Sequence, residues 1–229
     1  MNAYEGTDNL EVMAEARNYN AFLRDLVLAN RAEAPTAVDF GAGIGTFARM
    51  VRDRGIDVLC IEPDVAQCAV LREHGLEALA DLDALPDASL PYVYSLNVME
   101  HIEDDAGALL QIAGKLAPGG RLLVYVPAFD VLFSSMDRKV GHHRRYRREG
   151  LAALVEAAGL EVVTARYVDC VGFLATLAYK ALGSDKGDID RRSVVVFDRI
   201  LFPISRLLDR VLGFVVGKNV YVVARKRQG

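Results

Sequence analysis

The stretch Val38-Asp39-Phe40-Gly41-Ala42-Gly43-Ile44-Gly45-Thr46-Phe47 constrains this chain more than any other. An apolar run meets three glycines and a helical pattern follows, the signature of a strand that turns sharply into a helix. Glycine adopts positive φ without a Cβ penalty and lets a ligand approach the backbone closely. The first N–H groups of the helix have no intrahelical partner and carry partial positive charge. The turn therefore reads as the seat of a nucleotide-like cofactor.

The remaining chain alternates strand and helix at short spacing. Strands are expected at 36–40, 57–61, 76–80, 92–96 and 121–126, with helices at 46–54, 65–73 and 106–116 between them. That order predicts an α/β fold, a mostly parallel sheet with helices on both faces. Ligands of such sheets bind beyond the carboxyl ends of the strands, where the glycine turn, Glu62, Asp81, Asn97 and Pro127 all fall. An N-terminal segment, 1–35, reads as a helical cap, with Asp8 or Asn9 starting its helix. Beyond Pro127 come a basic loop at 129–148, a helix at 149–158, a strand at 161–168 and a last strand at 219–224. Between the last two strands an apolar helix, a polar loop at 183–192 and a second helix broken or kinked at Pro203 form an insertion, 171–216.

A chain of 229 residues that is 52% hydrophobic and 25% charged suits one domain with a substantial core. The net charge of −4 argues against a general nucleic-acid binder. Cys60, Cys68 and Cys170 form no CxxC pair and read as buried thiols in a reducing compartment. The opening residues lack a signal-peptide pattern, and no apolar run reaches the roughly 18 residues of a membrane span. The expectation is a cytoplasmic protein.

Spacing narrows the cofactor. The dinucleotide fingerprint is GxGxxG, whereas Gly41, Gly43 and Gly45 give GxGxG. Glu62, ending the second strand, is placed to accept from both hydroxyls of a ribose. With these residues the chain resembles the class I S-adenosylmethionine-dependent methyltransferases of small-molecule type, related to the ubiquinone and menaquinone group. Val38 to Gly45 resembles their first motif, Ala80-Asp81-Leu82 their adenine-contacting stretch, Asn97-Val98-Met99-Glu100-His101-Ile102 their motif after strand four, and Leu116-Ala117-Pro118-Gly119-Gly120 their turn before strand five. The resemblance implies a Rossmann-like sheet of seven strands with the last antiparallel. It implies S-adenosylmethionine as cofactor, held by Tyr19, Asp39, Gly41, Ala42, Gly43, Glu62, Pro63, Asp81, Leu82, Asn97 and Val98. Leu90-Pro91-Tyr92-Val93 departs from the family in lacking an acid after an aromatic residue at the strand-four entry. The competing readings are an NAD-dependent reductase, disfavoured by the glycine spacing and by the absence of a Tyr-x-x-x-Lys pair after strand four, and a non-catalytic partner that keeps the fold.

The acceptor side rests on fewer signals. His101, His142 and His143 are the candidate catalytic groups, because a neutral imidazole can take a proton near pH 7. For His101 a packing or cofactor-lining role stands beside that of a base. Arg138, Lys139, Arg144, Arg145, Arg147 and Arg148 place six cations within 11 residues. They read as a solvated loop or as an anion-holding acceptor site with Arg144, Arg145 and Tyr146 as substrate contacts. No metal is expected, since the adjacent His142 and His143 point differently and no zinc motif occurs. The insertion is open to three roles: a pocket lid, a homodimer face, or a peripheral membrane contact. Asp198, Arg199, Arg206, Asp209 and Arg210 give its polar face nearly balanced charge. The expected reaction is methyl transfer to a small or lipid-linked anionic acceptor, at oxygen before nitrogen or carbon.

Overall fold

The computed structural model describes residues 15–181 and 191–228. Residues 1–14, with the helix caps at Asp8 and Asn9, and most of the polar loop at 183–192 lie outside that range. One seven-stranded sheet runs through the described chain: β1 (Thr36–Phe40), β2 (Asp57–Ile61), β3 (Glu77–Leu79), β4 (Leu90–Leu96), β5 (Leu116–Pro127), β6 (Leu160–Val168) and β7 (Asn219–Lys226). Their order across the sheet is β3-β2-β1-β4-β5-β7-β6. Pairs β1/β2, β1/β4, β2/β3 and β4/β5 are parallel, and β7 runs antiparallel to both neighbours. This is the Rossmann-like methyltransferase sheet, with the antiparallel last strand in the expected place. β5 begins earlier than expected because Leu116 already pairs with Leu90, and the Ala117–Gly120 turn becomes a bulge inside the strand. A Cβ at Gly120 would lie 2.7 Å from the Leu90 carbonyl oxygen, so the bulge needs glycine there.

Helices cover both faces. α1 (Arg17–Asn30), α2 (Thr46–Arg52) and α3 (Val65–Glu73) bury Leu23, Val27, Val51 and Leu71 against Tyr92, Tyr94, Leu123 and Tyr125 of the sheet. The Tyr92 hydroxyl donates to the Val27 carbonyl at 2.9 Å and ties α1 to β4. α4 (Asp105–Lys115), a five-residue helix α5 (Ser135–Lys139) and α6 (Arg148–Ala157) follow in chain order. Within the opposite core, Leu109, Ile112, Leu151 and Val155 pack with Val93, Leu122, Val124 and Val222. Fully burying one such aliphatic side chain contributes about 1.5–3 kcal/mol, so the two layers fix the sheet from both sides.

The insertion comprises α7 (Cys170–Ala181), α8 (Arg191–Val196), a π-helical turn Phe197–Leu201 and α9 (Phe202–Leu212). Pro203 sits in the first turn of α9, where its missing N–H breaks no helical bond. The break expected at Pro203 thus takes the form of a wide turn just before it. The near-balanced polar face expected here does not form, because both acids are internal. Asp198 is 3% and Asp209 5% exposed. The Asp198 carboxylate accepts the Asn18 and Tyr19 N–H groups at 3.0 and 2.8 Å, capping α1, whose own flanking residue Ala16 offers no side-chain cap. Asp209 accepts the Asp169 and Cys170 N–H groups at 2.8 and 3.0 Å, at the start of α7. A free N–H of a helix start favours a carboxylate, and here the carboxylates come from a distant segment.

Candidate active site

The glycine turn joins β1 to α2. Gly41, Gly43 and Gly45 have φ of +81°, +57° and +80°. A Cβ at Gly41 would come within 2.5 Å of both Val98 methyl groups, and one at Gly45 within 2.6 Å of Leu71. The Gly41 N–H donates to the Ile61 carbonyl at 2.8 Å, which pins the turn to the end of β2. Glu62 follows Ile61 and is 7% exposed. One of its carboxylate oxygens accepts the Gly43 N–H at 2.8 Å, the other the Asp64 N–H at 3.0 Å. Each oxygen keeps a second lone pair, which suits two ribose hydroxyls.

A cavity of about 1420 Å³ opens over this edge. Its wall includes Tyr19, Gly41, Ala42, Gly43, Glu62, Pro63, Asp81, Leu82, Asn97 and Val98, ten of the eleven residues expected around the cofactor. Asp81 accepts the Asp83 N–H at 2.9 Å in a local turn, while Leu82 is buried. Asn97, at φ +56°, takes the left-handed backbone as the chain leaves β4, a conformation asparagine tolerates better than most. Tyr19 packs edge-on against Tyr125 and Phe202 at 6.4 and 5.6 Å. Burial pushes the Tyr19 phenol up to about 12, offset in part by Tyr125 and Asn97. The eleventh residue, Asp39, is absent from the cavity wall. It is 4% exposed on β1, beside Tyr94 of β4, and burial raises its carboxyl to about 7.

The far end of the cavity is built from the turn after β4 and from α5 with its following loop. Met99–His101 form one 3-10 turn, which puts Glu100 and His101 on the wall. His142 joins them from the loop, its ring 4.6 Å from that of His101 and nearly perpendicular. The Asp137 carboxylate bonds His142 Nδ1 at 2.8 Å and takes a fork from Arg145, Nε at 2.9 Å and Nη2 at 3.0 Å. Burial alone would raise Asp137, but His142 and Arg145 hold it well below the usual carboxylate range. His142 Nε2 lies 3.8 Å from Glu100 Oε1. Burial first, then the neighbouring His142, lower His101 to about 4, so its imidazole is neutral at pH 7. Burial raises Glu100 to about 8.

Three residues expected to meet the acceptor are not on this wall. His143 is exposed, and its N–H donates to the Glu100 carbonyl at 2.8 Å. Arg144 pairs with Asp105 at 3.0 Å and donates to the Glu103 carbonyl at 2.7 Å. Tyr146 is buried, and its hydroxyl contacts the Met99 carbonyl at 3.0 Å and Asp105 at 2.7 Å. Arg144 and Tyr146 thereby clamp the loop to the start of α4. Arg145 does reach the cavity, but its fork is spent on Asp137. Of the six loop cations only Arg138 and Arg145 line the cavity, and Arg138 is exposed over the Phe133 ring. Sequence reasoning missed Asp137, Lys180 and Lys218 on the same wall. Asp137 lies one residue before the basic run, where an acid is a local signal.

The fold and this glycine-lined edge define a class I S-adenosylmethionine-dependent methyltransferase architecture. Residues 13–165 match a family described as a methyltransferase domain, and the chain belongs to that family. A probable S-adenosylmethionine-dependent methyltransferase of Mycolicibacterium smegmatis is 32% identical over 145 residues, 59% of this chain and 55% of that protein. An uncharacterized 37.1 kDa protein in a transposon of Streptomyces fradiae is 32% identical over 137 residues, 55% of this chain and 39% of its own length. The matches thus span about half or less of these relatives. A geranyl diphosphate C-methyltransferase from Streptomyces coelicolor superposes with TM-score 0.64 at 17% identity, covering 95% of this chain and 84% of its own. An S-adenosylmethionine-dependent methyltransferase from Archaeoglobus fulgidus gives 0.62 at 16% identity, covering 92% and 94%. S-Adenosylmethionine is the family's cofactor, and the cradle at Gly41 with the free lone pairs of Glu62 fits it.

Proposed function

We propose that this protein transfers the methyl group of S-adenosylmethionine to an oxygen atom of an anionic, lipid-linked acceptor. One observation carries the reading: the cavity runs from the glycine turn to the His101 and His142 wall, and its rim merges with an exposed apolar helical face. Ala175, Tyr179, Val194 and Phe197 of the insertion line the cavity. Twelve of the 16 exposed large hydrophobic residues among the described ones fall between Leu174 and Val215. With Asp198 and Asp209 buried, the exposed charges that the described side chains of α8, the π-turn and α9 present are Arg192, Arg199 and Arg210, with Arg206 half-buried. An apolar helix face flanked by arginines suits an interface with anionic lipid.

The cofactor, when bound, supplies a methyl group already activated on a sulfonium. The protein's part is to place, desolvate and deprotonate the acceptor. An acceptor hydroxyl must lose its proton as its oxygen is methylated, and the imidazoles of His101 and His142 supply electron pairs at the point where that loss is needed. Arg138 and Lys180 stand on the same wall and favour an acidic group on the acceptor.

The test is a screen with radiolabelled methyl donor against lipid extracts and water-soluble fractions, beside calorimetry with S-adenosylhomocysteine and NAD. Label in the lipid fraction, released as methanol by mild base from an ester methyl or as iodomethane by hydriodic acid from an ether methyl, supports the reading. Binding of NAD in place of S-adenosylhomocysteine refutes it, and cofactor binding with no transfer to any fraction favours the non-catalytic partner.

A further inference from the structure

Among the described residues four side chains, Tyr94, Ser95, Tyr125 and Glu100, have buried oxygens without a hydrogen-bond partner, and Glu100 is the one carboxylate. Its residue is 0% exposed, and neither oxygen has a hydrogen-bond partner. A buried carboxyl left without partners costs several kcal/mol unless something nearby takes up its lone pairs. The residue lines the cavity, so a small shift of its covered side chain brings the carboxylate to a ligand there.

Two imidazoles face the same point. Glu100, His101 and His142 each offer one ligand atom, and the three atoms lie within 4.8 Å of one another. His142 Nε2 and Glu100 Oε1 stand 3.8 Å apart. Ligand atoms about 2.1 Å from a shared cation stand roughly 3.4 Å apart in a tetrahedral site, so the set closes on an ion by small side-chain shifts.

The second ring nitrogen of His142 is already engaged. His142 Nδ1 meets the Asp137 carboxylate at 2.8 Å, and Arg145 holds that carboxylate in place by a two-pronged fork. His101 is hydrogen-bonded to the backbone of Gly141 and Val140. A ligating histidine nearly always gives its other N–H to a carboxylate or a carbonyl, which fixes the ring and strengthens the ligand. His142 is arranged in that way, and the chain spends a buried ion pair on doing so.

We propose that Glu100, His101 and His142 bind one divalent transition-metal ion at the acceptor end of the cavity. Two imidazoles and one carboxylate select first-row ions such as zinc, cobalt or manganese over magnesium or calcium, which prefer oxygen sets. Three protein ligands leave positions open toward the cavity, the pattern of a catalytic rather than a structural site. The ion's role rests on reading this cavity end as the acceptor site: with both imidazole electron pairs ligating, the ion takes over their part, drawing the acceptor oxygen to the wall and easing loss of its proton. Its binding does not depend on that reading.

The experiment is calorimetry on protein stripped with chelator and then titrated with Zn²⁺, Co²⁺ or Mn²⁺, with cobalt also followed by its visible absorption. One ion per chain is expected. Glu100→Gln and His142→Ala each weaken binding by at least about tenfold, and Asp137→Asn, acting through His142, by roughly 10–100-fold. S-Adenosylhomocysteine affinity, measured on the same variants, reports that the fold is intact. No ion binding by wild-type protein, or unchanged binding in both Glu100→Gln and His142→Ala, overturns the site. A wild-type protein that binds the ion but not S-adenosylhomocysteine leaves the site standing and sinks the methyl-transfer reading instead.

Discussion

Val98 occupies the space that a side chain at position 41 would need: both of its methyl groups lie 2.5 Å from a Cβ built on Gly41. The turn after β4 therefore closes the turn after β1, and the two motifs are read by one cavity. Gly41→Ala is expected to abolish S-adenosylhomocysteine binding in calorimetry and to lower stability by about 1–3 kcal/mol, through the clash and through φ of +81°. Adding Val98→Ala removes the clash but not the backbone strain, so the double variant regains part of the stability only.

The basic loop is held by internal pairs. Asp137 and Arg145 have side chains 2% and 8% exposed, so Arg145→Ala leaves a buried carboxylate with one partner fewer. A loss of about 3–5 kcal/mol is expected in urea unfolding. Arg144→Ala removes the cation from Asp105 but leaves its bond with Tyr146, and with Arg144 35% exposed it costs less, about 1 kcal/mol. Should Arg144→Ala leave stability unchanged and remove only acceptor turnover, the clamp described for Arg144 is wrong.

Asp39 makes a pH-dependent contribution of definite sign. Burial raises its carboxyl from 3.8 to about 7, so the folded chain binds this proton more tightly than the unfolded chain. The stability it contributes is full below pH 4, declines from there to about pH 7, and is gone above it. Integrated over that range the loss is roughly 4 kcal/mol at most. Asp39→Asn removes this slope, and urea midpoints at pH 5 and pH 8 compared with wild type measure it. Parallel pH profiles for the two proteins would show that Asp39 is not neutral in the folded state at pH 5.

The apolar face of the insertion is the surface on which the lipid reading stands. Leu207 and Val211, at 60% and 76% exposure, lie one turn apart on α9. Replacing both with glutamate is expected to leave unfolding within about 0.5 kcal/mol, as for exposed sites, and to abolish co-sedimentation with anionic vesicles. Wild-type protein that stays in the supernatant, and forms a dimer that the double variant lacks, assigns the face to a second copy instead.

The parts legible in the sequence are those whose partners are local or lie at strand ends. Gly41, Gly43, Glu62 and Asn97 could be placed on one edge because α/β alternation fixes where strands finish. Arg144, Arg145 and Tyr146 read as acceptor contacts because their partners, Asp105 and Asp137, stand outside the run of cations that draws the eye. Glu100, His101 and His142 come together across more than forty residues of chain, a distance no spacing rule spans. Asp198 and Asp209 followed the amphipathic pattern of a solvated face, yet their helix turns them toward N–H groups that only the tertiary fold supplies.

The cap that Asp198 places on the Tyr19 N–H joins positions 179 apart in the chain. During synthesis α1 leaves the ribosome well before the carboxylate 179 positions on that satisfies its first turn. The cavity wall that carries Tyr19 is therefore set only once the insertion has been made, and a chain truncated before the insertion keeps its glycine turn but lacks the carboxylate that anchors that wall.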